Sequence, residues 1–282
     1  MQWRNPQVSY KIAYSKINNA GDLFNENIMD YFGKQYKKTS ILSADLVMLG
    51  GMLSTLCLSK DFRMRLKQRA GSLICNTGKP LHVFGTGFLT DKVDGVYLRK
   101  DLKIHALRGK LTREKLQRDI GYEGSPVLAD PGLLASEFVK NRAVKKHEIG
   151  FIPHFREIDL PVVKKIIDEN SHIYFIDITQ PFQKVIEEIA GCEMIISSSL
   201  HGLIFADSLK IPNKHLKISG RIKGDLFKFR DYYSAFDLED DPFAAGEGKI
   251  PSANEITDSY KIDPSKVDKK IEGLIKAFPR DL

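Results

Sequence analysis

Two patterns of hydrophobic and polar residues alternate along this chain of 282 residues. Short apolar runs of strand length are separated by longer segments in which apolar residues recur every three or four positions, as on one face of a helix. The clearest apolar runs are "ADLVMLG" at 44–50, "LHVFG" at 81–85, "IHALRG" at 104–109, "EIGFI" at 148–152, "HIYFIDI" at 172–178 and "EMIIS" at 193–197. Strands that alternate with helices predict parallel sheets covered on both faces, and therefore an α/β fold.

The helical spacing is clearest in segments that lie between these runs or follow them. They are 21–35, 111–119, 160–170, 182–191 and, near the end of the chain, 264–278. In the last of these, Asp263 and Pro264 suit the N-cap and first-turn positions. A further segment at 58–73 is amphipathic and basic; a solvated helix face and a helix lying on an anionic membrane both explain it.

The alternation restarts after the charged stretch "EFVKNRAVKKHE" at 137–148, which we interpret as a linker with its boundary near Lys145. We therefore predict two Rossmann-like domains, 1–140 and 146–282, facing one another across a cleft. The terminal helix must pack on another element, and the first domain is the candidate. The acidic segment at 237–254, rich in proline and glycine, is typical of a surface loop.

Composition narrows the class of protein. Hydrophobic residues make up 42% and charged residues 28%, and no apolar run approaches the ~20 residues that a membrane-spanning helix needs. The N-terminal stretch "MQWRNPQVSYK" lacks the apolar core of a secretory signal, so we expect a cytoplasmic location. The three cysteines form no CxxC pair and the seven histidines show no metal-ligand spacing, which predicts that no metal is bound.

Charge is unevenly distributed. Residues 1–140 contain 22 Lys and Arg against 13 Asp and Glu, a balance of +9, whereas the remaining residues contain 21 against 23, a balance of −2. Such a basic half suits nucleic acid, an anionic small substrate or an anionic membrane surface. No nucleic-acid motif is present, so we expect no nucleic-acid partner.

The stretch "IISSSLHGLIFA" at 195–206 places serines, a histidine and a glycine between two buried elements. A strand followed by the start of a helix is where parallel α/β sheets bind anions, because the first helical N–H groups are unpaired. The backbone at Ser198, Ser199, Leu200 and Gly202 would hold the anion, with His201 beside it. The alternative is an ordinary serine N-cap with a packed histidine.

Other polar residues follow predicted strands or begin predicted helices. Asp22 and Asn25 open the helix at 21–35, where Asp22 can cap the helix or accept a hydrogen bond from a substrate hydroxyl. Arg108 and His154 follow strands, as a forked cation and a titratable ring, although a surface ion pair and a solvated loop explain them equally well. Lys228 lies in the aromatic and charged segment "FKFRDYY", whose structural explanation is a half-buried amphipathic element.

The segment "FGTGF" at 84–88 contains Gly85, Thr86, Gly87 and Phe88 after an apolar strand and permits close approach of a ligand to the backbone. Position 90 is Thr where the dinucleotide fingerprint would have its third glycine, so the segment is weak support for nucleotide binding. The chain contains no GxxxxGK[ST] motif, which excludes a phosphate-loop NTPase.

Taken in order, these segments resemble the polysaccharide pyruvyl transferase family, in its bacterial exopolysaccharide and capsule branch. The matching stretches are "GDLFNEN", "LGG", "FGTGF", "LRGKLTREKL", "DPGLL", "IGFIPHF", "IISSSLHGLIFADSLKIPN" and "KFRDYY". The resemblance implies two domains similar to those of GT-B glycosyltransferases. It also implies phosphoenolpyruvate as the co-substrate, with no other cofactor, and a sugar of a cell-surface glycan as the acceptor, polyprenyl-diphosphate-linked or free.

Under this resemblance each candidate residue has an expected role. His201 is expected to protonate the donor's methylene carbon, with His154 as the second candidate, because a histidine is partly protonated near neutral pH. Asp22 would orient the acceptor and serve as base. The expected donor-binding residues are Ser198, Ser199, Leu200, Gly202, Arg108 and Lys228, and the expected acceptor-binding residues are Asn25, Gly85, Thr86, Gly87 and Phe88.

One position departs from the family pattern. Many members have Arg immediately before Leu-His-Gly, whereas this chain has Ser199, so Lys228 is our candidate for the missing cation. A glycosyltransferase that uses a nucleotide-sugar donor and an anion-sensing module without catalysis remain the alternatives. The basic first half also predicts peripheral contact with the anionic inner face of the membrane.

Overall fold

The structure is a computed structural model. It describes residues 9–282 except 16, 18, 59–62, 64, 67, 69, 71–77, 92–96, 140–143, 223 and 225. Most of the amphipathic segment predicted at 58–73, together with part of the predicted linker, lies outside the described residues.

The described residues form two wholly parallel sheets. The first sheet has the order β2-β1-β3-β4-β5-β6 and the second the order β11-β10-β9-β7-β8. The strands are β1 Tyr10–Ala13, β2 Tyr36–Lys38, β3 Leu46–Val47, β4 Leu81–Phe84, β5 Leu102–Leu107, β6 Val127–Leu128, β7 His147–Ile152, β8 Ile173–Phe175, β9 Cys192–Ser197, β10 Asn213–Lys217 and β11 Phe243–Ala244.

The helices that connect and cover these strands follow the predicted alternation. The α-helices are α1 Ala20–Tyr31, α2 Lys110–Ile120, α3 Pro161–Glu169, α4 Phe182–Ala190, α5 Leu200–Ser208, α6 Phe227–Ser234, α7 Ala253–Ser259 and α8 Pro264–Ala277. Short 3-10 helices occupy Met52–Leu56, Pro131–Phe138 and Gly246–Gly248. No helix of the described part of the chain is long and apolar enough to cross a membrane.

The predicted fold class, α/β with two Rossmann-like units, is confirmed. Five strands were not predicted: β1, β2, β6, β10 and β11. Four of them are mainly polar or span only two residues, so no apolar run marks them; β2 is "YKK", β10 is "NKHLK", and β6 and β11 have two residues each. The segment predicted as a loop at 237–254 contains β11, which extends the second sheet beside β10.

Both sheets repeat one topology. In each, the second strand along the chain lies outside the first and the third lies on the first strand's other side, which is the 2-1-3-4-5 order of doubly wound folds. The strand order therefore reverses between β1 and β3 in the first sheet and between β7 and β9 in the second. In such sheets ligands bind at the carboxyl ends of the strands beside this switch point.

The two halves share one hydrophobic core. Phe24 of α1 lies 4.3 Å, between ring centroids, from Phe182 of α4 and 5.6 Å from Phe205 of α5. The Ala20 N–H donates to the carbonyl of Ile178 at 2.7 Å. The cleft between the sheets is thus closed along one side by packing.

The terminal helix α8 crosses back to the first half. Val267, Ile271 and Leu274 of its predicted apolar stripe are buried. Lys270 donates to the carbonyl of Leu128, at the end of β6, over 2.6 Å. The last element of the chain therefore covers the first sheet.

Candidate active site

One cavity of about 220 Å³ lies where both switch points meet. Segments that follow β1, β3, β4, β5 and β6 line it from the first half, and segments that follow β7, β9 and β10 line it from the second. The first half contributes Ser15, Ile17, Asn19, Asp22, Gly50, Gly51, Met52, Thr55, Leu89, Arg108 and Asp130. The second half contributes His154, Phe155, Arg156, Ser199, Leu200, His201, Ile222 and Lys228.

Seven of the residues singled out from the sequence meet in this cavity although they are far apart along the chain. They are Asp22, Arg108, His154, Ser199, Leu200, His201 and Lys228. The remaining seven do not line it: Asn25, Gly85, Thr86, Gly87, Phe88, Ser198 and Gly202.

Ser198 does not line the cavity but connects Glu157 to the backbone of His154. Its hydroxyl donates to the buried Glu157 at 2.6 Å and accepts the His154 N–H at 2.9 Å. Gly202 leaves room for a neighbour, since a Cβ there would lie 2.5 Å from the Ser197 hydroxyl. Ser198 therefore positions His154, and Gly202 lets α5 pack closely against Ser197. The Ser198 hydroxyl is not available to a donor substrate.

Asn25 has both ends of its amide engaged. Its nitrogen donates to the carbonyl of Asp22 at 2.8 Å and its oxygen accepts the Leu49 N–H at 3.2 Å. It therefore ties α1 to the loop after β3, and the predicted contact with a sugar hydroxyl would require these bonds to break.

The segment 85–88 supports that same loop. The Thr86 hydroxyl donates to the carbonyl of Gly50 at 2.7 Å and accepts the Met52 N–H at 3.1 Å. Phe88 and Gly87 are buried. The glycines that reach the cavity are instead Gly50 and Gly51, which follow the strand "LV".

His201, in the first turn of α5, has a pKa that is lowered to about 3, mainly by burial and further by the charges of Lys228 and Arg108. Its Nε2 is buried without a hydrogen-bond partner among the described residues. Its ring packs against Gly21, where a Cβ would lie 1.8 Å from Nδ1. The imidazole is therefore neutral at neutral pH, contrary to the expectation of a partly protonated ring.

His154 is neutral for related reasons. Burial, together with Lys228, Arg156 and His201, lowers its pKa to about 3. Its Nδ1 accepts the N–H of Arg156 at 3.2 Å, which leaves the proton of the neutral ring on Nε2. His154 can therefore donate a hydrogen bond to a ligand.

Lys228 provides a cation whose ammonium makes no hydrogen bond and no ion pair with any residue in the described ranges. Burial, assisted by the nearby Arg108, lowers its pKa to about 8, while Asp22 and Glu157 act in the opposite direction. A half-buried ammonium with no hydrogen-bond or ion-pair partner among the described residues is costly unless an anion joins it.

Arg108 is 1% exposed and already partly engaged. Its Nε donates to Asp231 at 2.8 Å and its Nη2 to the carbonyl of Phe88 at 2.5 Å. Two of the five N–H groups of the fork that we predicted to grip a ligand are thus held within the protein, which leaves those of Nη1 and the second N–H of Nη2 for a ligand at the cavity wall.

Asp22 faces these cations from the first half. Burial raises the pKa of its carboxyl, against the effects of the Asn19 hydrogen bond and of the Lys228 charge. Asn19 donates its side-chain N–H to Asp22 Oδ2 at 2.6 Å and caps α1 through its oxygen. Because Asn19 caps the helix, the Asp22 side chain is not needed for capping.

The start of α5 completes the cavity. The first N–H groups of a helix have no acceptor within it, and those of Leu200 and His201 belong to residues that line the cavity. Ser199 makes no side-chain capping bond. This arrangement favours an anion at the helix N-terminus, next to Lys228.

Comparison with known proteins agrees with this geometry. A family model described as polysaccharide pyruvyl transferase matches residues 7–216, well over half of the chain. The chain belongs to the polysaccharide pyruvyl transferase family. The matched range includes every cavity residue except Ile222 and Lys228.

Two relatives extend this result. The chain is 32% identical over 182 residues to the uncharacterized protein L143 of Acanthamoeba polyphaga mimivirus, covering 62% of each protein. It is 27% identical over 150 residues to the succinoglycan biosynthesis protein ExoV of Rhizobium meliloti (strain 1021), covering 53% of this chain and 44% of that protein. The chain thus spans about half to three fifths of the length of these relatives.

Among solved structures, the wall teichoic acid polymerase TagF aligns with 95% of this chain and 83% of its own. The identity is 7% and the TM-score is 0.40, which is too low to support any argument about this protein.

Two charged residues of this site were not singled out from the sequence. Arg156 follows His154 by two positions, and Asp130 precedes Pro131 in "ADPGLL". An Asp before Pro and Gly is a common helix N-cap, so its local pattern predicts a structural role. No group of three or more His, Cys, Asp and Glu side chains in the described part of the chain could hold a metal ion.

Proposed function

We propose that the protein transfers the enolpyruvyl group of phosphoenolpyruvate, as a pyruvate ketal, onto two hydroxyls of a sugar. The observation that carries this proposal is the ammonium of Lys228, which has no hydrogen-bond or ion-pair partner in the described part of the chain, beside the N-terminus of α5. A small donor with a phosphate and a carboxylate supplies the anions that both groups require.

The donor would bind mainly to residues of the second half of the cavity, with Arg108 added from the first half. The phosphate would lie on the N–H groups of Leu200 and His201 with Lys228 as its cation, and the Ser199 hydroxyl would add a donor. Arg108 and Arg156 would bind the carboxylate from the cavity wall. In this arrangement Lys228 supplies the charge that many family members place at the position of Ser199.

Acceptor binding falls to the first half. Asp22 supplies a carboxylate on that side, and the backbone of Gly50 and Gly51 lines the same part of the cavity. A carboxylate accepts hydrogen bonds from sugar hydroxyls, and glycine backbone lets a sugar ring approach closely. We place the acceptor here rather than at Asn25 and 85–88, whose polar groups serve the protein's own structure.

The chemistry follows from the charges of the cavity. Protonation of the donor's methylene carbon creates a cationic centre, which a sugar hydroxyl attacks as it loses its proton. Neutral His201, with a buried and unpaired Nε2, is suited to accept that proton. The cations around the phosphate stabilise the charge of the leaving group.

The size of the cavity favours this donor over a nucleotide-sugar. About 220 Å³ lies below the ~300–1,000 Å³ typical of sites for drug-sized ligands. A three-carbon acid phosphate fits such a volume more readily than a nucleoside diphosphate with an attached sugar. The relative named for succinoglycan biosynthesis supports a polysaccharide, or its lipid-linked precursor, as the acceptor.

The test is mass spectrometry of candidate glycan acceptors after incubation with the protein and phosphoenolpyruvate. We expect a product carrying one pyruvate ketal, together with stoichiometric phosphate. Calorimetric titration with phosphoenolpyruvate and with UDP- and GDP-sugars should show binding of the first alone. Binding of a nucleotide-sugar with release of the nucleotide would identify a glycosyltransferase instead, and donor binding without turnover on any acceptor would identify a sensing module.

A further inference from the structure

Asp130 is a cavity residue to which the sequence pattern assigns only a structural role, as a helix cap, and the family description none. It follows β6, is 0% exposed and caps the 3-10 helix Pro131–Phe138 with one oxygen only: Oδ1 accepts the Gly132 N–H at 2.9 Å. Its Oδ2 is buried without a hydrogen-bond partner in the described ranges. A buried, unsatisfied carboxylate oxygen is unfavourable, and its occurrence needs an explanation.

A second unsatisfied atom lies in the same cavity. Of the five buried side-chain atoms without a partner among the described residues, two belong to residues that line it: Asp130 Oδ2 and His201 Nε2. One comes from each half of the protein. The cavity therefore offers a substrate two polar atoms that no described residue satisfies.

The backbone holds Asp130 rigidly. Gly85 has a φ of 81° and lies so close to Pro131 that a Cβ would be 2.1 Å from the proline Cδ. On the other side, a Cβ at Gly132 would be 2.8 Å from Ile204 of α5. The glycines of "FGTGF" and "DPG" thus fix the position of the carboxyl relative to α5.

The surroundings of Asp130 allow it to carry a proton. Burial, with a smaller contribution from Asp231, raises its pKa to about 6 against the effects of the Gly132 hydrogen bond and of Arg108, which forms no ion pair with it within 4 Å. The other ionisable groups at the cavity are Asp22, His154, Arg156, His201 and Lys228. A bound donor adds negative charge, which raises the pKa of Asp130 again and favours the protonated carboxyl.

We propose that Asp130 is the catalytic acid that protonates the methylene carbon of the enolpyruvyl donor, and that His201 accepts the proton of the attacking hydroxyl. This inference rests on the proposed function. Asp130 Oδ2, in the first half, gives a proton to the donor, and His201 Nε2, in the second half, takes a proton from the acceptor.

The transfers balance without a further reactant. The proton on Asp130 Oδ2 and the electron pair of the double bond form the new C–H bond. The oxygen of the first sugar hydroxyl then bonds to the adjacent carbon, and the hydroxyl proton passes to His201. The bond from that carbon to the phosphate oxygen breaks, and the leaving phosphate takes the proton from His201. The second hydroxyl then bonds to the same carbon and its proton restores Asp130. The sum is a ketal and hydrogenphosphate, with no oxidation.

The test compares Asp130→Asn with wild type in phosphate release and in ketal formation. We expect kcat to fall by about 10²- to 10⁴-fold, because asparagine caps the helix equally well but has no proton of suitable acidity. Affinity for phosphoenolpyruvate, measured by calorimetry, should stay within a few-fold or improve. Asp177→Asn is the matched control: Asp177 accepts the N–H two residues ahead at 2.8 Å, as Asp130 does, but does not line the cavity. Its kcat should stay near wild type.

Further measurements separate the outcomes. If Asp130→Asn does not fold, Asp130→Ser preserves a capping oxygen and removes the acid, and the same loss is expected. In wild type kcat should fall as pH rises above the pKa of the acid, and the residual rate of either variant should lack that dependence.

A folded variant with kcat within tenfold of wild type, or with an unchanged pH profile, overturns the role of Asp130 while leaving pyruvyl transfer intact. Absence of phosphoenolpyruvate binding and turnover in wild type overturns the proposed function, and this inference with it.

Discussion

The imidazole of His201 shows how strongly a buried site changes a single residue. Burial is the main reason that its pKa is low, and two nearby cations lower it further. The sequence pattern marks this ring as a proton donor, whereas in the structure it is neutral and can accept a proton. The same surroundings lower the pKa of Lys228 and, through burial, raise those of Asp22 and Asp130.

Replacement of His201 by glutamine should lower kcat by about 10²- to 10⁴-fold while donor affinity changes far less. Glutamine has similar bulk and hydrogen-bonding capacity but cannot accept the hydroxyl proton. Steady-state rates and calorimetric binding measure the two effects. His172→Gln, on an exposed loop, is the control and should behave as wild type. Near-normal kcat in folded His201→Gln would transfer the role to His154 or to a bound water.

Lys228 makes donor binding dependent on pH. Its pKa of about 8 means that the ammonium loses its proton as pH rises through this value. A bound anion stabilises the ammonium, so binding near this pH takes up a proton, and Kd for phosphoenolpyruvate should rise by up to tenfold per pH unit above it.

Calorimetry from one unit below to one unit above pH 8 tests this dependence. Lys228→Arg stays charged throughout, so its Kd should be nearly flat. A wild-type Kd that does not change over this range would show that another group holds the anion.

At the scale of elements, the site depends on how closely the first turns of α1 and α5 approach each other. Gly21 permits this contact because the imidazole of His201 occupies the space of a Cβ. The close contact between α1 of the first half and α5 of the second half therefore requires glycine at position 21.

Gly21→Ala should therefore displace His201 and reduce kcat by about 10²-fold, since a shift of roughly 1 Å at a reacting group has effects of this size. Overpacking should lower the free energy of unfolding by about 1–3 kcal/mol. Gly191→Ala is the matched control, because the closest atom to its new Cβ lies at 3.4 Å. Equal activity of the two variants would show that His201 needs no such contact.

At the scale of the molecule, Asp231 of α6 joins the halves at the wall of the cavity. Its carboxylate accepts hydrogen bonds from Arg108 Nε at 2.8 Å and from the backbone and hydroxyl of Thr112 at 2.8 and 2.7 Å. It thereby caps α2, whose own N-cap residue, Gly109, has no side chain. The cation at the cavity wall and the packing of the two halves depend on the same carboxylate.

Asp231→Ala should lower the free energy of unfolding by about 3–5 kcal/mol, because it leaves the Arg108 charge buried and unpaired. Urea unfolding followed by circular dichroism measures the change. Asp91→Ala removes one partner of a surface pair in which Arg118 and Asp91 are 57% and 53% exposed, and it should alter stability by at most about 1 kcal/mol. Similar losses in the two variants would contradict a special role for the buried pair.

Peripheral membrane contact remains a prediction of the charge distribution. An excess of +9 in the first 140 residues should favour anionic surfaces, with about 1 kcal/mol per cation near the surface. Flotation with anionic liposomes should recover the protein at low salt and lose it at high salt. Equal recovery with neutral liposomes would argue against an electrostatic attraction.

The sequence by itself determined the class of fold and the neighbourhood of the site. Alternating apolar runs and helical segments predict parallel sheets, and polar residues that follow apolar strands come together because the carboxyl ends of parallel strands lie at one edge. Arg108, His154 and the turn at 199–201 meet for this reason. The family resemblance pointed to the same residues.

Only the tertiary structure decided which of these groups are free to react. Ser198 binds Glu157, which is 41 residues away, and Arg108 binds Asp231, which is 123 residues away, and no local pattern contains such partners. Asp130 resembles an ordinary helix cap in sequence and differs from one because its second oxygen is buried at the cavity without a hydrogen-bond partner among the described residues. Local sequence determines backbone conformation, whereas the protonation and availability of a side chain depend on burial and on charges brought from distant parts of the chain.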